Sequence, residues 1–144
     1  MNTCERAKDY FSSGYNCCQS VLTAHAESIG LHPGKCKSIA SSFGGGVAGQ
    51  QRLCGAVSGA LMVIGMWYYD DRNRTESGPL VEEKTARFLA AFTEKYQSDV
   101  CADLLGMSLK EADASGLFTT KCTEIVETAC TILQELSPEG DFYG

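Results

Sequence analysis

The chain has 144 residues, 44% of them hydrophobic and 21% charged, a balance that suits a folded globular domain and excludes a disordered one. A net charge of -6 with no Lys/Arg cluster excludes the basic stripe that a nucleic-acid phosphate backbone requires. No apolar run follows a basic start at the N-terminus, and the longest apolar stretch, Ala56 to Tyr69, is broken by Ser58, Gly59 and Gly65 and is shorter than the roughly 20 residues of a bilayer span. The expectation is a cytoplasmic protein of one domain, residues 1–144, without a membrane span.

Helical periodicity dominates and no alternating run reads as a half-buried strand, which predicts an all-α bundle. A first amphipathic helix is expected from about Thr3 to Ser12, ended by Gly14. Asn16, with Gln19 three residues on, has the capping-box spacing for a second helix that stops at Gly30. A short helical piece around Lys35 to Ser41 leads into the glycine-rich loop Phe43-Gly44-Gly45-Gly46-Val47-Ala48-Gly49. The next helix, about Leu53 to Tyr69, is apolar nearly all round and is the expected central helix. Asp70 to Gly78 reads as a polar loop closed by Gly78-Pro79, and an amphipathic helix from about Leu80 to Gln97 turns Phe88 and Phe92 inward. A short helix over Val100 to Leu105 ends at Gly106, Ser108 caps another to about Ser115, and the last runs from about Thr120 to Leu136. The tail from Glu139 is expected to be loose.

Eight cysteines is far above ordinary usage, and a reducing cytosol would not maintain structural disulfides. Four of them fall near expected helix starts: Cys17 beside the Asn16 cap, Cys54 where the glycine loop becomes the central helix, Cys101 after Ser98-Asp99, and Cys122 after Thr119-Thr120. Unpaired amides and the positive end of the helix dipole favour a thiolate there, as a nucleophile or a metal ligand. Cys4 and Cys130 fit faces that simply pack, and Cys36 stays unassigned. Cys18 reads as core, because a helix points it about 100° from Cys17.

Gly44, Gly46 and Gly49 match G-x-G-x-x-G, but no strand precedes them, so nucleotide binding is set aside. The expected role of Gly44, Gly45 and Gly46 is a backbone that passes close beside the thiols, its amides facing a sulfur-centred charge. His25 on an apolar stripe reads as a core histidine and His32 as a turn residue. Gly55/Gly59 and Ala56/Ala60 read as small residues that let another helix approach. The apolar central helix and the aromatic run Trp67, Tyr68, Tyr69 raise a homodimer as an expectation.

With Gly14-Tyr15-Asn16-Cys17, Phe43-Gly44-Gly45-Gly46, Cys54-Gly55-Ala56-Val57-Ser58-Gly59, Cys101 and Cys122 in hand, the chain resembles the C_GCAxxG_C_C family of redox-active proteins from about residue 5 to 136. Carried over position by position, the resemblance places the family's four cysteines on Cys17, Cys54, Cys101 and Cys122. Cys18 stands where an alanine would be more typical. Such domains are also similar to the non-haem part of split-Soret cytochromes, which brings in cysteine-bound iron, but without Cys-x-x-Cys-His no covalent haem is expected.

Two redox readings stay open: thiol–disulfide exchange by four converging cysteines, and a metal site in which the same four thiolates hold an iron–sulfur cluster or zinc. A non-catalytic helical interaction module ranks behind both. If the chain is an enzyme, a thiol-based oxidoreductase is the class these residues fit, with an unspecified protein or small molecule as redox partner.

Overall fold

A computed structural model describes residues 1–138, and the tail expected from Glu139 lies outside the described residues. The helices are α1 (Thr3–Ser12), α2 (Cys17–Ala24), α3 (Ala26–Ile29), α4 (Pro33–Ala40), α5 (Gly55–Tyr68), α6 (Arg74–Tyr96), α7 (Cys101–Leu105), α8 (Leu109–Ala114) and α9 (Thr123–Leu136). Short 3₁₀ turns cover Ser41–Phe43 and Asp71–Asn73, and a π turn covers Phe118–Cys122. The fold is all-α. Among the described residues there is no strand, only an isolated antiparallel bridge between Leu53 and Val100.

Helix α5 is central as expected, packed by α2, α3, α6 and α9, while α1 lies across α2 and α9. Its small residues explain how α2 comes so close. A Cβ at Gly59 would stand 2.9 Å from the Cys18 carbonyl oxygen, and one at Gly55 would stand 3.0 Å from the Phe43 carbonyl oxygen. Around this seam Leu22, Ile64, Phe88, Phe92 and Leu133 are sealed from solvent, each contributing about 1.5–3 kcal/mol by burial. Phe88 and Phe92 stack with ring centroids 6.1 Å apart.

Three boundaries depart from the sequence expectation, each for a local reason. The second helix does not run through to Gly30, because the buried ring of His25 donates from Nδ1 to the Val21 carbonyl at 2.7 Å, and the His25 amide turns to Leu22 instead. Burial holds that imidazole neutral, with its pKa pushed down to about 4.

Helix α6 begins at Arg74, so Gly78-Pro79 lies inside it rather than in a loop. The Ser77 hydroxyl bonds both the amide and the carbonyl of Asp70, anchoring the early start, and Pro79 removes a single helical hydrogen bond near that end. The last helix is preceded by the π turn, so Cys122 follows wide backbone hydrogen bonding, its own amide reaching the Leu117 carbonyl at 3.0 Å.

All three rings behind the homodimer expectation hydrogen-bond within the chain. Trp67 Nε1 donates to Ser28 Oγ at 3.1 Å, the Tyr68 hydroxyl bonds the Leu136 carbonyl and the Tyr69 hydroxyl donates to Asp71 Oδ1 at 3.0 Å, Tyr69 being the exposed ring of the three.

Candidate functional site

Cys17 is the first residue of α2, and the capping box fixes it: Asn16 Oδ1 accepts the Gln19 amide at 2.8 Å and Gln19 Oε1 accepts the Asn16 amide at 3.0 Å. The same two side chains donate to the Ser41 and Lys37 carbonyls, locking the start of α2 to the end of α4. The glycine loop rests on this cap, since a Cβ at Gly44 would fall 2.6 Å from the Asn16 Cβ.

Beyond Gly44 the backbone runs left-handed for five residues, with φ of 60° at Gly45, 71° at Gly46, 70° at Val47, 50° at Ala48 and 75° at Gly49. An L residue costs about 1–2 kcal/mol in that region, so Val47 and Ala48 store strain. Cross-loop bonds hold it, among them Ala48 to Ser42 at 2.8 Å, Gly49 to Gly44 at 3.0 Å, Gln51 to Gly45 at 2.9 Å and Arg52 to Gly46 at 2.8 Å. These bonds occupy the amides that follow the three glycines. Val47, Ala48, Gly49, Gln51 and Arg52 donate to backbone carbonyls of the loop and its approach, whereas Gly44, Gly45 and Gly46 donate to no backbone carbonyl among the described residues.

The chain then forms the Leu53–Val100 bridge, in which the Cys54 amide donates to the Asp99 carbonyl at 2.8 Å and the Cys101 amide to the Arg52 carbonyl at 2.7 Å. In that antiparallel register Cys54 and Cys101 are diagonal neighbours on one face, positions about 7–8 Å apart. Cys54 caps α5 and Cys101 opens α7.

All four cysteines line one cavity of about 810 Å³, together with Gly44, Gly45 and Gly46, and with Phe11, Leu104, Leu109 and Phe118 as apolar wall. The size suits a small ligand or an inserted segment. Hydrogen bonding from Cys17 lowers Cys122, helped by the positive charge of Lys121, whereas the same bond, with burial, raises Cys17 well above an ordinary thiol. Burial pushes Cys54 up to about 11 although the Val57 and Ala56 amides favour its thiolate, and burial also raises Cys101 against the opposing effect of Gln51.

The helix-start reasoning is therefore corrected on acidity. A helix terminus contributes about 0.3–1 kcal/mol, less than one pKa unit, while burial can shift a thiol by several units. All four thiols stand at helix starts, yet that position does not acidify Cys17, Cys54 or Cys101. Cys122 alone is lowered, and its cause is a second thiol and a lysine.

Cys18 turns away into the α2–α5 seam, fully buried and pushed up to about 12. Cys36 is buried too. Cys4 packs at the edge of the core, as expected, but is not sealed. It is half-buried in the first turn of α1, capped by Asn2, and hydrogen bonding from Cys130 draws its thiol down to about 7. The signal was legible, because Asn2 with Glu5 three residues on marks a helix start as clearly as Asn16 does.

A family model matches residues 15–136. The chain belongs to the C_GCAxxG_C_C family. That family is described as "Putative redox-active protein (C_GCAxxG_C_C)", which supports a redox role in general. Neither the curated proteins nor the solved structures give a significant match to this chain.

The cysteines that carry the C_GCAxxG_C_C pattern share a cavity, yet they do not form a ready metal cage. Among the described residues no group of three or more His, Cys, Asp or Glu side chains stands close enough to hold an ion. A tetrahedral centre needs every sulfur within about 2.3 Å of the metal. The iron–sulfur and zinc readings do not fit the side chains as they stand.

Proposed function

We propose that this C_GCAxxG_C_C chain is a cytoplasmic thiol–disulfide exchange protein in which Cys122 is the attacking thiolate and Cys17 the resolving thiol, with Cys54 and Cys101 as a second pair in the same cavity. The observation that carries this reading is the gathering of Cys17, Cys54, Cys101 and Cys122 around one cavity despite their separation in sequence. The lowered Cys122 supports its role as the attacking thiolate, while Cys17, kept protonated beside it, is the neighbouring thiol that can resolve the mixed disulfide once it deprotonates.

The Cys122 thiolate attacks one sulfur of a partner disulfide, forming a mixed disulfide and releasing a thiolate that takes up a proton. Cys17 then loses its proton and attacks the Cys122 sulfur, releasing the second partner thiol. Two cysteine thiols become one disulfide, and two electrons pass to the partner. The partner is a disulfide on a small molecule or on a protein segment able to enter the cavity.

Cys17→Ser removes the resolving thiol and leaves the nucleophile. Incubation with an aromatic disulfide should trap a stable adduct on Cys122, whereas the unaltered protein should release both halves of the probe. Full release of both halves by Cys17→Ser would exclude Cys17 from that role.

A further inference from the structure

Two cysteines outside the cavity, Cys4 and Cys130, lie on the seam between α1 and α9. The two helices run antiparallel there: Lys8 Nζ meets Glu127 Oε2 at 2.8 Å, and one turn away on both helices Cys4 Sγ meets Thr131 Oγ1 at 3.8 Å. Beside Thr131, Cys130 points inward and is sealed from solvent, while Cys4 stays half-buried at the rim. Cys4 thus reaches α9 at the residue next to Cys130, and neither cysteine lines the cavity of Cys17, Cys54, Cys101 and Cys122. Other sealed cysteines differ, since Cys36 bonds the Leu31 carbonyl and Cys18 packs under Gly59. Cys4 also precedes the segment that the family model matches, so the pair is not part of the family pattern.

We propose that Cys4 and Cys130 form a second, independent dithiol that is oxidised by a low-molecular-weight disulfide such as glutathione disulfide, with Cys4 attacking and Cys130 resolving. The asymmetry of exposure sets the order, because a reagent in solvent reaches Cys4 and not Cys130. The Cys4 thiolate attacks one sulfur of glutathione disulfide, giving Cys4–glutathione mixed disulfide and one glutathione thiolate, which is protonated. Cys130 gives up its proton and attacks the Cys4 sulfur, releasing the second glutathione. One Cys4–Cys130 disulfide forms and two glutathione thiols leave. The acidity of Cys4, set by Cys130 and Thr131 and by the opposing charges of Lys8 and Glu127, assists the first step. The product ties the first turn of α1 to α9.

The test is peptide mapping without reduction after the reduced protein has met glutathione disulfide and been quenched by alkylation. Digestion uses trypsin with a glutamate-specific protease, because cleavage at Glu124 and Glu127 separates Cys130 from Cys122. The expected result is a linked peptide joining Cys4 to Cys130 in the unaltered protein. Cys130→Ser should instead retain glutathione on Cys4, and Cys4→Ser should leave Cys130 unmodified. Glutathione retained on Cys4 of the unaltered protein, with no Cys130 link, would overturn the proposal, as would an unreacted Cys4. The unaltered protein decides the matter even if a variant fails to fold, and links among the cavity cysteines appear in different peptides.

Discussion

In the α2–α5 seam, Cys18 is entirely sealed, held in regular helix and roofed by Gly59. Beside it, at the start of α5, Cys54, Cys101 and Cys122 keep 6%, 8% and 8% of their surface and border a cavity, each delivered by irregular backbone: a left-handed turn, an isolated bridge and a π turn. Regular helix packs a cysteine as a small hydrophobe. Irregular backbone, at a cost in strain, can bring thiols from distant parts of the chain to one opening.

The largest expected effect comes from breaking the irregular end. A Cβ at Gly46 would stand 2.5 Å from the Arg52 nitrogen, at a φ of 71°. Gly46→Ala should lower unfolding free energy by about 2–4 kcal/mol, from left-handed strain and overpacking together. Gly65→Ala lies in α5 with nothing within 4 Å and should be neutral or stabilising by up to about 1 kcal/mol. Denaturant titration of both variants measures the contrast, and equal effects would dissolve it.

Much of the regular half was legible from the sequence. The Asn16–Gln19 and Ser108–Glu111 capping boxes and the left-handed glycines Gly30 and Gly106 set helix ends by chemistry local to a few residues. The spacing of Phe88 and Phe92 marked the buried face of α6. What escaped depends on contacts far along the chain or on backbone that propensity opposes. Val47 and Ala48 disfavour left-handed φ, and only the bonds closing the loop hold them there. Pro79 signalled a break that the Ser77–Asp70 bonds forestall. The four cavity cysteines were picked out by position, but their acidity was not, because burial and thiol–thiol contact are tertiary.

Reactivity sharpens the comparison next. Cys4, drawn down to about 7, and Cys54, pushed up to about 11, differ strongly in thiolate at neutral pH. Lower nucleophilicity of the more acidic thiol offsets part of that, leaving Cys4 about a hundredfold faster toward a disulfide probe. The pH dependence carries the sign: ionisation grows as pH rises, so the Cys4 rate should level off above about 7, while Cys54 continues to climb. Timed labelling with peptide mapping checks both, and a Cys54 that reacts as fast as Cys4 would show that burial does not control these thiols.

A smaller effect separates the two regions functionally. Cys122→Ser should slow reduction of a disulfide probe at the cavity at least about tenfold, because a hydroxyl is not ionised at neutral pH. Cys36→Ala, in the sealed region, should leave that rate within about twofold while lowering stability. Stopped-flow release of an aromatic thiol distinguishes them.

The central claim, that distant cysteines act together at one cavity, is tested most directly by mapping which sulfurs pair when the reduced protein receives one equivalent of a disulfide oxidant. A Cys17–Cys122 link should dominate among the cavity thiols, with Cys54–Cys101 following as oxidant is added. Cavity cysteines that remain reduced, or that each carry a separate adduct without linking to one another, would contradict it.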